Sequence, residues 1–207
     1  MERNRLFPWS GIVFVALVVG TAAGTGDTPA SGAPASEVAS FYGDNAMRQG
    51  IGAFLMAASV PFLVFFGIGL ASALGSGSVW TQVLVGGTIL VGATVLVAAF
   101  VRFALVDGGD NDVSPTALEA LNVLDGNTWV AFIPALGVMM LGAAGVLLSA
   151  GVLRWLGWTA LVLGIVLFVP IAGFFAMFLT AVWIVVTGIA LARRAERPDA
   201  TRVATAK

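Results

Sequence analysis

The sequence predicts an all-α polytopic membrane protein, a single domain over residues 1–207 that is a bundle of six transmembrane helices with short amphipathic helices in two outer loops. The prediction rests on three observations: 59% of the residues are hydrophobic, only 10% are charged, and the mean hydropathy is +1.00. A soluble domain carries about 25% charged residues, and a chain of this length cannot bury so much apolar surface in water. The lipid bilayer is therefore the first expected partner.

Six apolar segments approach the roughly 20 residues that a helix needs to cross the hydrocarbon. The predicted spans are residues 9–23, 47–74, 79–106, 129–150, 153–169 and 172–191, and residues 192–207 are expected to form a flexible basic cytoplasmic tail.

The first span has two interpretations. Arg3 and Arg5 precede a short apolar core, and small residues at 21–23 resemble a cleavage site, as in a signal peptide. We favour an uncleaved anchor helix and keep cleavage as the alternative. The other five spans keep their orientation in either case.

The last two spans come from one apolar run, Leu153 to Leu191. As a single helix it would be about 58 Å long, almost twice the hydrocarbon thickness of about 30 Å. Pro170 and Gly173 offer a turn in the middle. We therefore predict two spans.

Charge sets the orientation. With six spans, one side holds both termini and eight of the ten basic residues, which are Arg3, Arg5, Arg154, Arg193, Arg194, Arg197, Arg202 and Lys207. The other side holds eight of the eleven acids, which are Asp27, Glu37, Asp44, Asp107, Asp110, Asp112, Glu119 and Asp125, with Arg48 as a lone base. The positive-inside rule then places both termini in the cytoplasm. The abundance of Ala, Gly, Val and Arg is typical of a bacterial protein from a GC-rich genome, so we expect a multi-pass protein of the bacterial cytoplasmic membrane.

The residues that are missing exclude several kinds of chemistry. The chain has no Cys and no His, which removes thiolate and imidazole metal sites, His-ligated haem and the Ser-His-Asp triad. Lys207 is the single lysine, so a buried Schiff base has no candidate. A basic stripe for nucleic acid is also missing. We expect no enzyme, no cofactor, no metal and no nucleic-acid partner.

The second outer loop, from Asp107 to Thr128, combines acids with a short helix. Ser114 followed by Pro115 predicts the start of that helix. Three leucines spaced three apart then form one apolar face, at 118, 121 and 124. The helix is expected to lie on the membrane or over the end of the bundle.

The acids of this loop match the calcium-binding loop of an EF-hand only at its first ligand positions. The first three EF-hand ligand positions are filled by Asp110, Asp112 and Ser114. The twelfth position is Leu121 instead of Glu, and the sixth is Pro115 instead of Gly, so the EF-hand interpretation fails. A looser cation site with Glu119 or Asp125 is a weaker alternative to a solvated acidic loop.

Arg102 is the only basic residue inside an apolar stretch. The segment Val79 to Val101 already spans about 35 Å, which places Arg102 near the outer headgroups. There we expect it to pair with Asp107 or Glu119. These three residues, Arg102, Asp107 and Glu119, are our candidate contact for an anion or a lipid headgroup at the outer mouth.

Small residues recur at the spacing of helix–helix contacts. Gly20 and Gly24 form a GxxxG pair, and Gly67, Ala71 and Gly75 continue the same rhythm in the second span. We expect these residues to pack helices within the chain rather than to form a dimer seam.

Three short segments carry a resemblance to a known group of proteins. They are VLRWLGWTALVLG at 152–164, SEVASFYGDN at 36–45 and ALNVLDGN at 120–127. In these segments and in its layout the chain resembles bacterial integral membrane proteins of a domain-of-unknown-function family. The resemblance implies a six-helix bundle and supplies no catalytic residues.

The most favoured function is therefore a non-enzymatic accessory or scaffold subunit with a membrane protein partner, or a binder of lipid or another apolar ligand. The alternative is a small transporter or channel for an uncharged or lipophilic solute. The lack of Asp, Glu, Lys or His at mid-membrane depth argues against transport, because coupled transporters use such residues. A polar cavity near Pro61 and Pro134 would favour transport, whereas a solid apolar interior would favour the scaffold or binder.

Overall fold

A computed structural model describes residues 7–74, 78–111 and 113–196. Every regular element in these ranges is an α-helix, which confirms the all-α prediction. In chain order the helices are α1 (Phe7–Thr25), α2 (Ala35–Asp44), α3 (Ala46–Leu74), α4 (Val79–Asp110), α5 (Pro115–Gly126), α6 (Trp129–Ser149), α7 (Arg154–Val166) and α8 (Pro170–Glu196).

Among the described residues, five helical stretches are long and apolar enough to cross a membrane, and they contain α1, α3, α4, α6 and α8. This result indicates a multi-pass membrane protein. The predicted fifth span does not reach that length. Its helix, α7, has 13 residues, or about 20 Å. It begins after a tight reversal in which Gly151 and Leu153 adopt positive φ, and it already ends at Val166, before Pro170. The count of six spans is therefore not confirmed.

The apolar run from Leu153 to Leu191 is divided into two helices near the predicted turn, although Gly173 lies within the second helix. One helix ends at Val166, and the next begins at Pro170, whose ring fits the first turn of a helix. The indole Nε1 of Trp183 donates to the Leu156 carbonyl at 3.0 Å. This hydrogen bond joins α7 and α8 as an antiparallel pair. The later helix continues to Glu196, and residues 197–207 of the predicted tail lie outside the described ranges.

Six helices form a closed ring in the order α1, α3, α4, α6, α7 and α8, with α8 returning to α1. Neighbours in the ring run in opposite directions. In the first pair, for example, Gly52 faces Thr25 whereas Gly11 faces Phe66. At the closing contact the Pro8 carbonyl meets Gly188. The start of α1 and the last turns of α8 therefore share one end of the bundle, which we call the terminal end. The other end carries α2 and α5, and we call it the capped end.

The interior of the ring is filled by apolar side chains. The largest of the fully buried ones include Phe66, Met139, Met140, Leu147 and Ile184. Large apolar side chains also cover the outside, where Ile171 is 80% and Phe100 74% exposed. Helices that are apolar on all sides are typical of membrane spans, so the outer surface is suited to lipid.

The tightest contact in the bundle lies between α4 and α6. A methyl group at Gly87 would overlap the backbone of Met139, and one at Gly142 would overlap the backbone of Leu84. Only glycine allows backbones this close, which is how helices gain packing energy in lipid.

The two predicted small-residue motifs differ in outcome. Gly67 packs against Thr88 of α4, so the expectation of intramolecular packing is confirmed there. At Gly20 and Gly24 it is wrong, because a Cβ at either position would find no other heavy atom within 4 Å. Both residues lie on an open surface of α1. Gly75 lies outside the described ranges.

The second outer loop begins later than predicted. The helix α4 continues to Asp110, so Asp107 lies in its last turns rather than in a loop. The extension is covered by α2, since a Cβ at Gly109 would lie 2.9 Å from the Gly43 nitrogen and 3.0 Å from the Tyr42 Cβ. Packing against the cap keeps these polar turns helical.

Replacing Gly87 by alanine should destabilise the bundle, because the added methyl group must push α6 away. We expect a loss of about 1–3 kcal/mol in the free energy of unfolding. Gly86→Ala is the matched control, because it is the adjacent residue of the same helix and its Cβ would lie in open space. Reversible unfolding of both variants in mixed micelles checks this expectation. Equal stability of the two variants would contradict it.

Candidate functional site at the capped end

The helices α2 and α5 are held on the capped end by their own apolar cluster. Its buried members are Val38, Tyr42, Leu105, Val106 and Leu118. This cluster is separate from the main core of the ring. The cap is therefore a packed part of the fold rather than two loose connections.

The start of α5 is as predicted, but only part of its predicted apolar face is buried. The Ser114 hydroxyl accepts a hydrogen bond from the Ala117 nitrogen at 3.4 Å, and Pro115 is the first helical residue. Leu118 is buried and Leu121 half-buried, whereas Leu124 is exposed. The predicted face of three leucines therefore does not pack as one unit.

Arg102 forms an ion pair with Asp125, and the predicted partners Asp107 and Glu119 are not used. A terminal nitrogen of Arg102 lies 3.2 Å from Asp125 Oδ2, with the two side chains 17% and 7% exposed. Arg102 points from the capped-end part of α4 to the last turn of α5, so the pair fastens the cap to the bundle. Because both side chains are largely buried, removing one charge would leave the other without a partner in a poorly solvated site.

The three residues of the predicted outer-mouth contact are not brought together. Glu119 Oε1 accepts a hydrogen bond from the Ala35 nitrogen at 3.1 Å, which joins α5 to the first residue of α2. Asp107 Oδ1 accepts one from Asn111 Nδ2 at 3.3 Å. Each of the three side chains has its own partner, so a shared site of Arg102, Asp107 and Glu119 stays a prediction without geometric support.

Two of the acids considered for a cation site are likewise engaged elsewhere. Asp125 faces Arg102, and Glu119 holds the start of α2. Within the described residues no group of three or more Asp or Glu side chains is arranged to hold a metal. Asp112 lies outside the described ranges.

Tyr42 is the residue that the sequence analysis missed. Its side chain is fully buried beneath α2, and its hydroxyl has no hydrogen-bond partner among the described residues. Burial raises the pKa of Tyr42 to about 12, the Asp125 carboxylate adds to the shift, and the Arg102 guanidinium opposes it. One sequence feature could have drawn attention to Tyr42. It is the only tyrosine in the chain, and it lies in a short segment between two spans.

A groove of about 460 Å³ runs along the outside of α1 and α3 at the capped end. Its polar end is formed by Asp44, Asn45 and Arg48. Its apolar wall and floor are formed by Gly20, Gly24, Met47, Ile51 and Leu55, with Thr21, Thr25 and Gly52 behind them. We call this feature the α1–α3 groove. The open faces of Gly20 and Gly24 explain why α1 does not fill it.

Arg48 is held in a fixed position at the polar end of the groove. Its Nε donates to the Gly24 carbonyl, and the guanidinium covers Gly26, which has a φ of +71°. Its terminal nitrogens have no acceptor among the described residues. Behind it, Gln49 Nε2 donates to the Thr25 carbonyl at 3.0 Å, which fixes α1 against α3. The result is a positioned cation with free donors.

No protein-family model matches the sequence, and neither a curated protein nor a solved structure matches the chain. The resemblance to bacterial six-helix membrane proteins stays a prediction, and the arguments that follow rest on the geometry of this chain.

The ionisation of Tyr42 should be directly visible, because the chain has a single tyrosine. We expect the absorbance near 295 nm of the folded protein in detergent to rise with a midpoint near pH 12, against about 10 for the unfolded chain. Since the folded pKa is the higher one, Tyr42 should cost stability only as the pH rises from about 10 to about 12. A folded midpoint near 10 would contradict the buried position. Tyr42→Phe should abolish the absorbance change.

Replacing Asp125 by asparagine leaves the Arg102 charge without its partner. We expect the free energy of unfolding to fall by about 1.5–3 kcal/mol. Asp107→Asn removes the same charge from an exposed site at the same end of the bundle and should change it by less than about 0.5 kcal/mol. Denaturation of both variants in mixed micelles compares them. A loss no larger in Asp125→Asn than in the control would contradict the role of the ion pair.

Proposed function

We propose that this chain is a non-enzymatic integral membrane protein that binds a lipid-like amphipathic ligand in the α1–α3 groove. The observation that carries the proposal is the lining of that groove. A positioned Arg48 with free donors stands at one end, and an apolar wall extends from it along the membrane helices. A ligand with a polar head and an apolar chain matches both parts.

The filled interior supports a binding role over transport. Pro61 and Pro134, the kink positions that a solute pathway would use, are exposed on the outside of the bundle. The buried hydroxyls of Thr88 and Thr180 donate to carbonyls of their own helices, at 2.7 and 2.9 Å. These two hydroxyls are satisfied within their own helices, whereas the buried Thr187 hydroxyl of α8 has no partner among the described residues. A transporter or channel for an uncharged solute is the weaker alternative.

We further propose that the protein lies in the bacterial cytoplasmic membrane with the capped end outside and both termini in the cytoplasm. Three arginines support this orientation, because Arg154, Arg193 and Arg194 lie on helix ends away from the cap. Acids dominate the capped end, where Asp27, Glu37, Asp44 and Asp107 are all exposed.

An accessory-subunit role remains compatible with the same architecture. The cap is packed against the ring and joined to it by the Arg102–Asp125 pair, so it would present a stable surface to a partner protein. Isolation of the complex distinguishes this role from ligand binding alone.

Filling the groove should displace the ligand. We expect Gly20→Leu to lower the fraction of protein that retains a lipid in native mass spectrometry after mild-detergent extraction by about tenfold, which corresponds to about 1.4 kcal/mol. Gly86→Leu is the matched control, because it adds the same side chain to another outward-facing glycine. It should leave the retained lipid unchanged.

Three other outcomes are informative in the same experiment. Equal lipid retention in Gly20→Leu and Gly86→Leu would contradict binding in the groove. The lack of any retained lipid in the unmodified protein would contradict the proposed function. A second protein at fixed stoichiometry, with no lipid, would favour the accessory subunit instead.

A further inference from the structure

The α1–α3 groove has features that discriminate between lipid headgroups, and this inference rests on the proposed function. Its polar end contains both signs of charge, because Asp44 and Arg48 line it together. No ion pair joins them in the described chain. Both charges therefore remain free for a ligand instead of neutralising each other.

Arg48 is suited to a phosphate group. Its terminal nitrogens form the planar fork that binds two oxygens of a phosphate at once. Because Nε is already fixed on the Gly24 carbonyl, little conformational freedom is lost on binding. The first turn of α3 starts beside it at Ala46, and the free N–H groups of a helix start favour a negative charge.

Asp44 is suited to a cation. Its side chain is exposed, and its carboxylate has no partner among the described residues. Asn45 lies next to it with Nδ2 donating to the Phe41 carbonyl at 2.9 Å, which leaves its side-chain oxygen as an acceptor. Two acceptors therefore line the same end of the groove as the Arg48 guanidinium.

The surrounding charge disfavours a ligand with a net negative charge. Asp27 and Glu37 lie exposed at the same end of the bundle, and the sequence places further acids there. An anionic headgroup would gain the contact with Arg48 but would face Asp44 and this acidic surface. A zwitterionic headgroup avoids that repulsion, because its ammonium meets the carboxylate.

The groove also distinguishes between two zwitterionic headgroups. A primary ammonium has N–H donors for the acceptors of Asp44 and Asn45. A quaternary ammonium has none and is recognised by aromatic faces. None of the residues lining the groove is aromatic. The arrangement favours a primary amine.

We propose that the α1–α3 groove binds a phospholipid with an ethanolamine headgroup from the leaflet at the capped end. The phosphate lies on Arg48, the ammonium lies on Asp44, and an acyl chain follows Ile51 and Leu55 over Gly20 and Gly24.

The test uses the full-length protein in nanodiscs that contain equal amounts of phosphatidylethanolamine, phosphatidylglycerol and phosphatidylcholine with matched acyl chains. Release into detergent followed by native mass spectrometry counts the retained lipids. We expect phosphatidylethanolamine to be retained at least about fivefold over either competitor. Asp44→Asn should reduce this preference to less than about twofold. Glu37→Gln, an exposed acid of α2 outside the groove, is the matched control and should keep the preference.

Arg48→Gln should lower the retention of all three phospholipids by about tenfold, because the phosphate is common to them. Arg154→Gln, which changes an exposed arginine at the opposite end of the bundle, should have no effect. If Arg48→Gln fails to fold after losing its contact with Gly24, Asp44→Asn still decides the headgroup assignment, since that carboxylate supports no other contact in the described chain.

The two proposals fail in different ways. Retention of phosphatidylglycerol or phosphatidylcholine equal to that of phosphatidylethanolamine, or an unchanged preference in Asp44→Asn, would overturn the headgroup assignment and leave lipid binding in the groove intact. No retention of any of the three lipids by the unmodified protein would overturn both.

Discussion

The backbones of α4 and α6 meet at Gly87 and Gly142, and the other helices are arranged around this contact. In lipid there is no hydrophobic force between apolar helices, so close packing has to supply their association. Glycines that face a neighbouring backbone let the two helices approach closely, which strengthens their van der Waals packing. On one side α3 packs against α4 through Gly67 and Thr88, and on the other side α7 packs against α6.

The capped end depends on a different kind of interaction. There individual polar contacts hold the cap in place. Arg102 pairs with Asp125, and Glu119 accepts a hydrogen bond from the start of α2. The apolar cluster around Tyr42 fills the space between these contacts. Because these contacts fix the cap, the polar end of the neighbouring groove keeps its shape, and α3 begins at a defined place beside Arg48.

The sequence was sufficient for features that depend on local composition. Five of the six predicted apolar spans correspond to stretches long enough to cross a membrane, and the helix break before Pro170 and the start of α5 at Ser114 follow from the residues that begin and end helices. It was not sufficient for features that depend on which surfaces meet. Arg102 and Asp125 are separated by 23 residues, and nothing in their neighbourhood specifies the pair. The open faces of Gly20 and Gly24 were missed because spacing alone does not show whether a neighbour is present.

The closed ring of helices constrains how the protein can be made. The closing contact joins Pro8, near the start of the chain, to Gly188, near the end of α8. While the chain is being inserted, the earlier helices can form only an open arc, and the side of α1 that faces α8 stays exposed to lipid until the last helix arrives. The bundle therefore becomes a single closed unit only after α8 has been inserted, and every intermediate without α8 has an unpaired edge along α1.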